Sequence, residues 1–401
     1  MRVSKGFVVK LFAGANIQRW NDKIRPAELT ELDEQAHKMI IAYLIGKHEE
    51  STPGFDWIEI IEGGIFELLQ RIQVTDLKSQ IFYAIKADKN QYHKLNEWVY
   101  DNLFPVITPL GRDFKSRFRT YLAVNSDQED SNINRKIINA AHVYASRWEY
   151  DLIEPINIKD FERAAIRGRF EDDATRYRSL EGFRELGGNS GLKTFTDLCG
   201  YLRFQTRWNS IRRVTQTSVL GHMLIVAILS YLYSVQANLC RRRRLNNYFT
   251  GLFHDFPEAL TKDIVSPVRG ATEGIPRIIS VYQDMEMTKV LRFLPRDWHK
   301  EIKLFTRDEF ENSIEMAGAR KKLKSIGKEY DKDQFNPRDG KLVKACDDLA
   351  AFTEAHLALR HGVNFQALSD AKYDIRNKYN QKENRNIVGL NFAEILADYE
   401  D

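Results

Sequence analysis

The chain has 401 residues, 43% hydrophobic and 29% charged, enough for two globular domains and too apolar for an extended disordered chain. A net charge of +4 is small for this length, which argues against nucleic acid as the main partner while leaving small anions open. Cys199, Cys240 and Cys346 lie far apart and fit neither a disulfide framework nor a zinc knuckle.

From the N-terminus, "MRVSKGFVVKLFAGANIQRWND" has too short an apolar run for a signal peptide, so a cytoplasmic protein is expected. After "QRWN" (Gln18–Asn21), the run "AHKMIIAYLIG" from Ala36 predicts a buried helix, and "IFELLQRIQVTD" (Ile65–Asp76) predicts a second. "LFP" (Leu103–Pro105) follows, and then the periodic segment "IINAAHVYASRWE" (Ile137–Glu149). Residues 161–194 read as a connector, since Phe170–Lys193 combines a charged start with a Gly-Gly-Asn-Ser-Gly centre.

The same series then recurs. "TRWN" (Thr206–Asn209) answers "QRWN", and "GHMLIVAILSYL" from Gly221 answers the first apolar helix. "LFHDFPEALTKD" (Leu252–Asp263) answers Ile65–Asp76, "FLP" (Phe293–Pro295) answers "LFP", and "LVKACDDLAAFTE" (Leu342–Glu354) answers Ile137–Glu149. Five echoes in one order predict two homologous helical domains, residues 1–160 and 195–370, in an all-α protein. Residues 371–401 read as a polar tail ending in a short helix. The stretch Val219–Val235 approaches membrane-span length, but His222 and the flanking polar residues favour a core helix, so no membrane partner is expected. The run Arg241–Arg244 reads as a solvated helix end.

The second half alone carries a complete set of metal-capable residues: His222, His254, Asp255 and Asp347. Two imidazoles and two carboxylates from separate helices suit one divalent cation of the Mn, Co, Fe, Zn or Mg kind. A cation also explains why a histidine and an aspartate sit side by side after an apolar pair. Asp348, next to Asp347, is an alternative ligand.

A first His, then His-Asp, then a distant Asp resembles the HD-domain phosphohydrolases. "HDFPEALTKDIVSPVR" (His254–Arg269), "LVKACDDLAA" (Leu342–Ala351) and Arg207–Trp208 upstream of the first His resemble its 5′-deoxynucleotidase branch. The resemblance covers Thr206 to His361, and reaches the first half only through the internal echo. It implies an HD fold and makes His222, His254, Asp255 and Asp347 the metal ligands. It makes Glu258 the carboxylate that handles the proton of attacking water. It further implies that Asp263 bonds the sugar hydroxyl, that Arg207 and Arg269 face the phosphate, and that Trp208 packs on sugar or base. Lys262 and Gly221 depart from the family pattern and bear on the substrate pocket more than on the metal.

Other roles stand beside these. Glu258 can serve as a helix-start carboxylate and Asp263 as a turn or cap. Arg207–Trp208 recurs as Arg19–Trp20, which suits packing. The first half has His37, Glu67, Leu68, Arg71 and His142 at the echoed positions, and leucine cannot ligate. A degenerate first domain is expected, packing on the second as an intramolecular pseudo-dimer, with a further homodimer possible. The expected function is a metal-dependent 5′-nucleotidase on ribo- or deoxyribonucleoside 5′-monophosphates. The alternatives are a nucleoside triphosphate or (p)ppGpp-type hydrolase and a non-catalytic nucleotide-binding scaffold.

Overall fold

The computed structural model describes residues 1–124, 131–188, 190–262 and 272–399. It is helical throughout, with only short strands, as the periodicity predicts. The chain divides into two compact units: an N-terminal unit of residues 10–200, and a C-terminal unit of residues 201–401 with residues 1–9.

Three of the long helices of the N-terminal unit form its core: α1 (Glu31–Glu49), α2 (Trp57–Val74) and α3 (Ile133–Ile153); the helix Lys89–Ile107 packs beside them. Thr30 caps α1 by accepting from the Asp33 amide, and Glu31, Asp33 and Glu34 fill the first turn, where the helix dipole favours carboxylates. Every residue from Glu31 to Gly46 is buried, so α1 is the central rod of the unit rather than a surface helix. Gly64 of α2 lets this rod come close, because a Cβ there would stand 2.2 Å from the Met39 sulfur.

The C-terminal unit repeats this plan with α4 (Val219–Gln236), α5 (Arg241–Phe253) and α6 (Gly340–Arg360). Ser218 caps α4 through the Gly221 amide, and residues Val219–Ser234 are all buried. The helix has the length and hydropathy to cross a bilayer, yet its surface is spent on packing within the unit. Gly251 is the counterpart of Gly64: its Cβ would meet the Ala227 backbone at 2.7 Å. A small antiparallel sheet, β1 (Asn312–Met316) between β2 (Ala319–Lys322) and β3 (Arg338–Asp339), precedes α6.

Within the arginine run at the start of α5, Arg241 is exposed as expected of a solvated end and Arg243 is the exception. Arg243 is 3% exposed and donates from Nη2 to Asp339 Oδ1 at 2.7 Å, anchoring β3 to the helix. Residues 1–9 join this unit, Val3 N donating to Gln236 Oε1 at 3.0 Å. The tail does end in a short helix, Phe392–Ala397, whose fully buried Phe392 packs on Tyr233 and Tyr379.

Candidate metal centre

Each site residue enters from a different helix end. His222 lies one turn into α4 and is fully buried. His254 and Asp255 follow the last residue of α5, where the chain turns toward the short helix Glu258–Thr261. Asp347 sits in the second turn of α6. Side-chain ligand atoms of His222, His254 and Asp255 all lie within 4.8 Å of one another. Asp347 adjoins this group through His222, its Oδ1 2.9 Å from His222 Nε2.

Asp348 faces the other way. It accepts from Tyr379 OH at 2.9 Å and from Lys378, both on the helix Gln366–Asn380. The two neighbours share Lys344, whose Nζ is 2.7 Å from Asp347 Oδ2 and 3.0 Å from Asp348 Oδ1, but it is Asp347 that meets His222.

The protonation pattern suits a cation. His254 Nδ1 donates to Gly251 O at 2.8 Å, which leaves Nε2 as the lone-pair nitrogen aimed at the cluster. That buried Nε2 makes no hydrogen bond of good geometry; Asp255 Oδ2 is 3.2 Å away. Burial pushes the His254 imidazole down, but Asp255 and Asp347 outweigh it and raise its pKa to about 9. Burial likewise opposes ionisation of Asp255, and His254 overrides that to bring it to about 2. The pocket therefore has a field that holds positive charge, a proton if nothing better. A buried imidazole nitrogen facing a carboxylate, a second carboxylate and a second imidazole fit a divalent cation.

Behind the ligands stands Glu354, which the sequence reading passed over. It is buried on α6 and accepts hydrogen bonds from three side chains of the C-terminal unit. Its Oε2 accepts from Trp208 Nε1 at 2.8 Å and Arg207 Nε at 3.2 Å; its Oε1 accepts from Thr217 Oγ1 at 2.6 Å. The same Oε1 lies 3.6 Å from His222 Nδ1, beyond hydrogen-bond distance, and places a negative charge behind the ring. Burial opposes its charge, but Arg207 and His222 hold its carboxyl well below the usual range.

Arg207 bridges this glutamate and the site, its Nη1 3.7 Å from Asp255 Oδ2. Trp208 is turned inward: besides its bond to Glu354, its ring packs with Ile211, Ala355, Ala358 and Leu368. Glu258 opens its short helix, 7% exposed, and its charge is felt by Arg207. Asp263 and Arg269 lie outside the described residues.

The HD-domain family model matches residues 199–375, a span that holds all four candidate ligands. Those residues are an HD domain. A 5′-deoxynucleotidase of Pectobacterium atrosepticum is 24% identical over 119 residues, 29% of this chain and 60% of that protein. The chain thus spans about three-fifths of the relative's length.

The N-terminal unit lies outside the HD-domain match, but several local features found around the site recur in it. Trp20 and Trp208 share a left-handed backbone, φ 54° and 56°. Arg19 Nε and Trp20 Nε1 donate to Glu149 at 2.8 and 2.9 Å, as Arg207 and Trp208 do to Glu354. The bridge Gln18–Thr30 matches Thr206–Ser218. Carried forward at the spacing from Arg19 to Arg207, this register puts Glu34, not His37, opposite His222. His37 points elsewhere, its Nε2 3.1 Å from Thr196 O and its ring edge-on to Trp148. The matching apolar runs had hidden a three-residue offset.

The charges here neutralise one another. Glu34 Oε1 is 2.8 Å from His142 Nδ1, and Arg71 Nε pairs with Glu31 at 3.1 Å. Lys38, fully buried, puts its ammonium 2.6 Å from Glu67. Leu68 takes the position of Asp255. An ammonium and a guanidinium thus supply the positive charge that a metal would bring.

Proposed function

We propose that the HD domain is a metal-dependent phosphohydrolase acting on nucleoside 5′-monophosphates. The observation that carries this reading is the grouping of His222, His254 and Asp255 beside Arg207, with Asp347 at 2.9 Å from His222. These four residues would hold the cation. A divalent ion bound there supplies Lewis-acid activation of water and neutralises charge on the phosphoryl oxygens.

The chain's own groups do the rest. Arg207 is held rigid at Nε by Glu354, while its Nη edge is directed toward Asp255, where a phosphate oxygen can accept from it. Glu258 takes the proton of the attacking water, a role that suits a carboxylate with little exposure beside an arginine. Trp208 supports the site by packing, since its indole N–H is already engaged and its ring is enclosed. The roles of Asp263 at the sugar and Arg269 near the phosphate rest on the resemblance alone. A deoxyribose preference is in keeping with the name of the Pectobacterium relative.

The test is a phosphate-release screen of all ribo- and deoxyribonucleoside monophosphates with Mn, Co, Mg and Zn. Release from at least one monophosphate, abolished by Asp255→Ala, is expected. No release from any monophosphate with any of the four metals would sink the proposal.

A further inference from the structure

We propose that the N-terminal unit binds a phosphate ester carrying a flat aromatic ring, the chemistry of a nucleotide, in a cavity unable to hydrolyse it. The inference does not depend on the activity proposed for the HD domain.

The cavity measures about 690 Å³ and is lined wholly by residues between Arg19 and Tyr177. That volume lies within the ~300–1,000 Å³ range of small-molecule sites. Its lining includes Glu67, Arg71 and His142, so it opens over the positions that match His254, Glu258 and Asp347. The scaffold has kept the pocket and exchanged its chemistry.

Two features of the lining select the ligand. Eight lysine or arginine side chains face it against five carboxylates, an excess of positive charge. The buried acids Glu31, Glu34 and Glu67 already have Arg71, His142 and Lys38, so the outer cations are not needed to balance them. Among these, neither Arg135 nor Arg169 forms an ion pair with a described carboxylate. Each lies over a ring instead: Arg135 is 3.8 Å from the Tyr121 centroid and Arg169 is 5.1 Å from that of Tyr83. Arg71 lies 5.6 Å from the Phe82 ring. Three guanidiniums backed by three aromatics on one cavity provide forked donors for phosphate and flat faces for a base.

Hydrolysis is excluded by the same residues. Leu68 offers no ligand, Lys38 takes the cation's place, and Arg71 stands where a proton-accepting carboxylate is required. A bound phosphate ester would leave intact.

The experiment uses the full chain in EDTA, so that no metal-dependent turnover occurs. Calorimetric titration with dAMP, dCMP, dGMP, TMP and inorganic phosphate should give 1:1 binding of at least one nucleotide, tighter than phosphate alone. Arg135→Ala with Arg169→Ala should weaken it about tenfold or more, the loss of a charged hydrogen bond, while Asp255→Asn leaves it unchanged. Photolabelling of the unsubstituted chain with 8-azido-dAMP, followed by peptide mapping, should mark residues 10–200 and needs no variant to fold. Absence of nucleotide binding overturns the proposal, as does phosphate binding as tightly as any nucleotide. Labelling confined to residues 201–401 overturns it as well. Because no activity is read, a failed phosphohydrolase assay and a failed binding assay remain separate results.

Discussion

Substituting Glu354 by Gln tests the support beneath the HD-domain site. The carboxylate is buried and accepts from Arg207, Trp208 and Thr217 while facing His222. The amide keeps one acceptor oxygen but turns an NH2 toward groups that are themselves donors, and it removes the negative charge opposite Arg207. Breaking a buried ion pair from one side costs about 3–5 kcal/mol. The lower end, about 3 kcal/mol, applies because Asp255 remains 3.7 Å from the guanidinium. At roughly 2–4 °C per kcal/mol for a unit of this size, the melting temperature should fall by about 6–12 °C. His222 also loses the negative charge behind its ring, so metal affinity should drop about 10–100-fold. Glu149→Gln is the matched control, because Glu149 anchors Arg19 and Trp20 in the same way without facing a metal ligand. Its melting temperature should fall less, since Arg19 keeps Glu31 at 3.0 Å, and metal binding should not change. Differential scanning calorimetry and competitive metal titration read the two effects. Unaltered metal affinity in Glu354→Gln would falsify this electrostatic role, whatever happens to stability.

Elemental analysis should find about one equivalent of transition metal per chain, lost in His254→Ala and Asp255→Ala; two equivalents would mean that the N-terminal unit also binds metal. Glu258→Ala should keep the metal and lower turnover by about a hundredfold or more, the usual yield of general acid–base catalysis; near-normal turnover would assign the proton to another group. Leu68→Asp should create no second metal site, because the Lys38 ammonium remains 2.6 Å from Glu67, and the metal count is the measurement that decides it. For Glu34, burial opposes ionisation, but His142 and Arg19 hold its pKa at about 2, below its unfolded value. Its contribution is therefore complete above the ordinary glutamate range, near 4.5, and disappears as pH falls toward about 2. Acid unfolding of Glu34→Gln should be flatter across that window than that of the unsubstituted chain; identical slopes would count against the ion pair.

Much of this protein can be read along the chain because the signals are local. Apolar periodicity predicts the helices, the His254–Asp255 adjacency predicts a cation, and the repeated Arg-Trp-Asn predicts that one scaffold occurs twice. Packing decided the rest. Asp347 and Asp348 are neighbours with one chemistry, and only the rotation of α6 turns the first to His222 and the second to Tyr379. Glu354 carried a signal in the glutamate that ends both echoed segments, but its importance comes from burial, which makes each of its hydrogen bonds count. Arg207–Trp208 supports two readings in sequence, and the distances to Glu354 separate the arginine that reaches the site from the tryptophan that does not. His37 shows the limit most clearly. Two apolar helices align equally well at several offsets, because one buried aliphatic residue resembles another. The cap at Thr30 and the bridge to Gln18 favour the register that sets Glu34 opposite His222, with Lys38 paired to Glu67 close by.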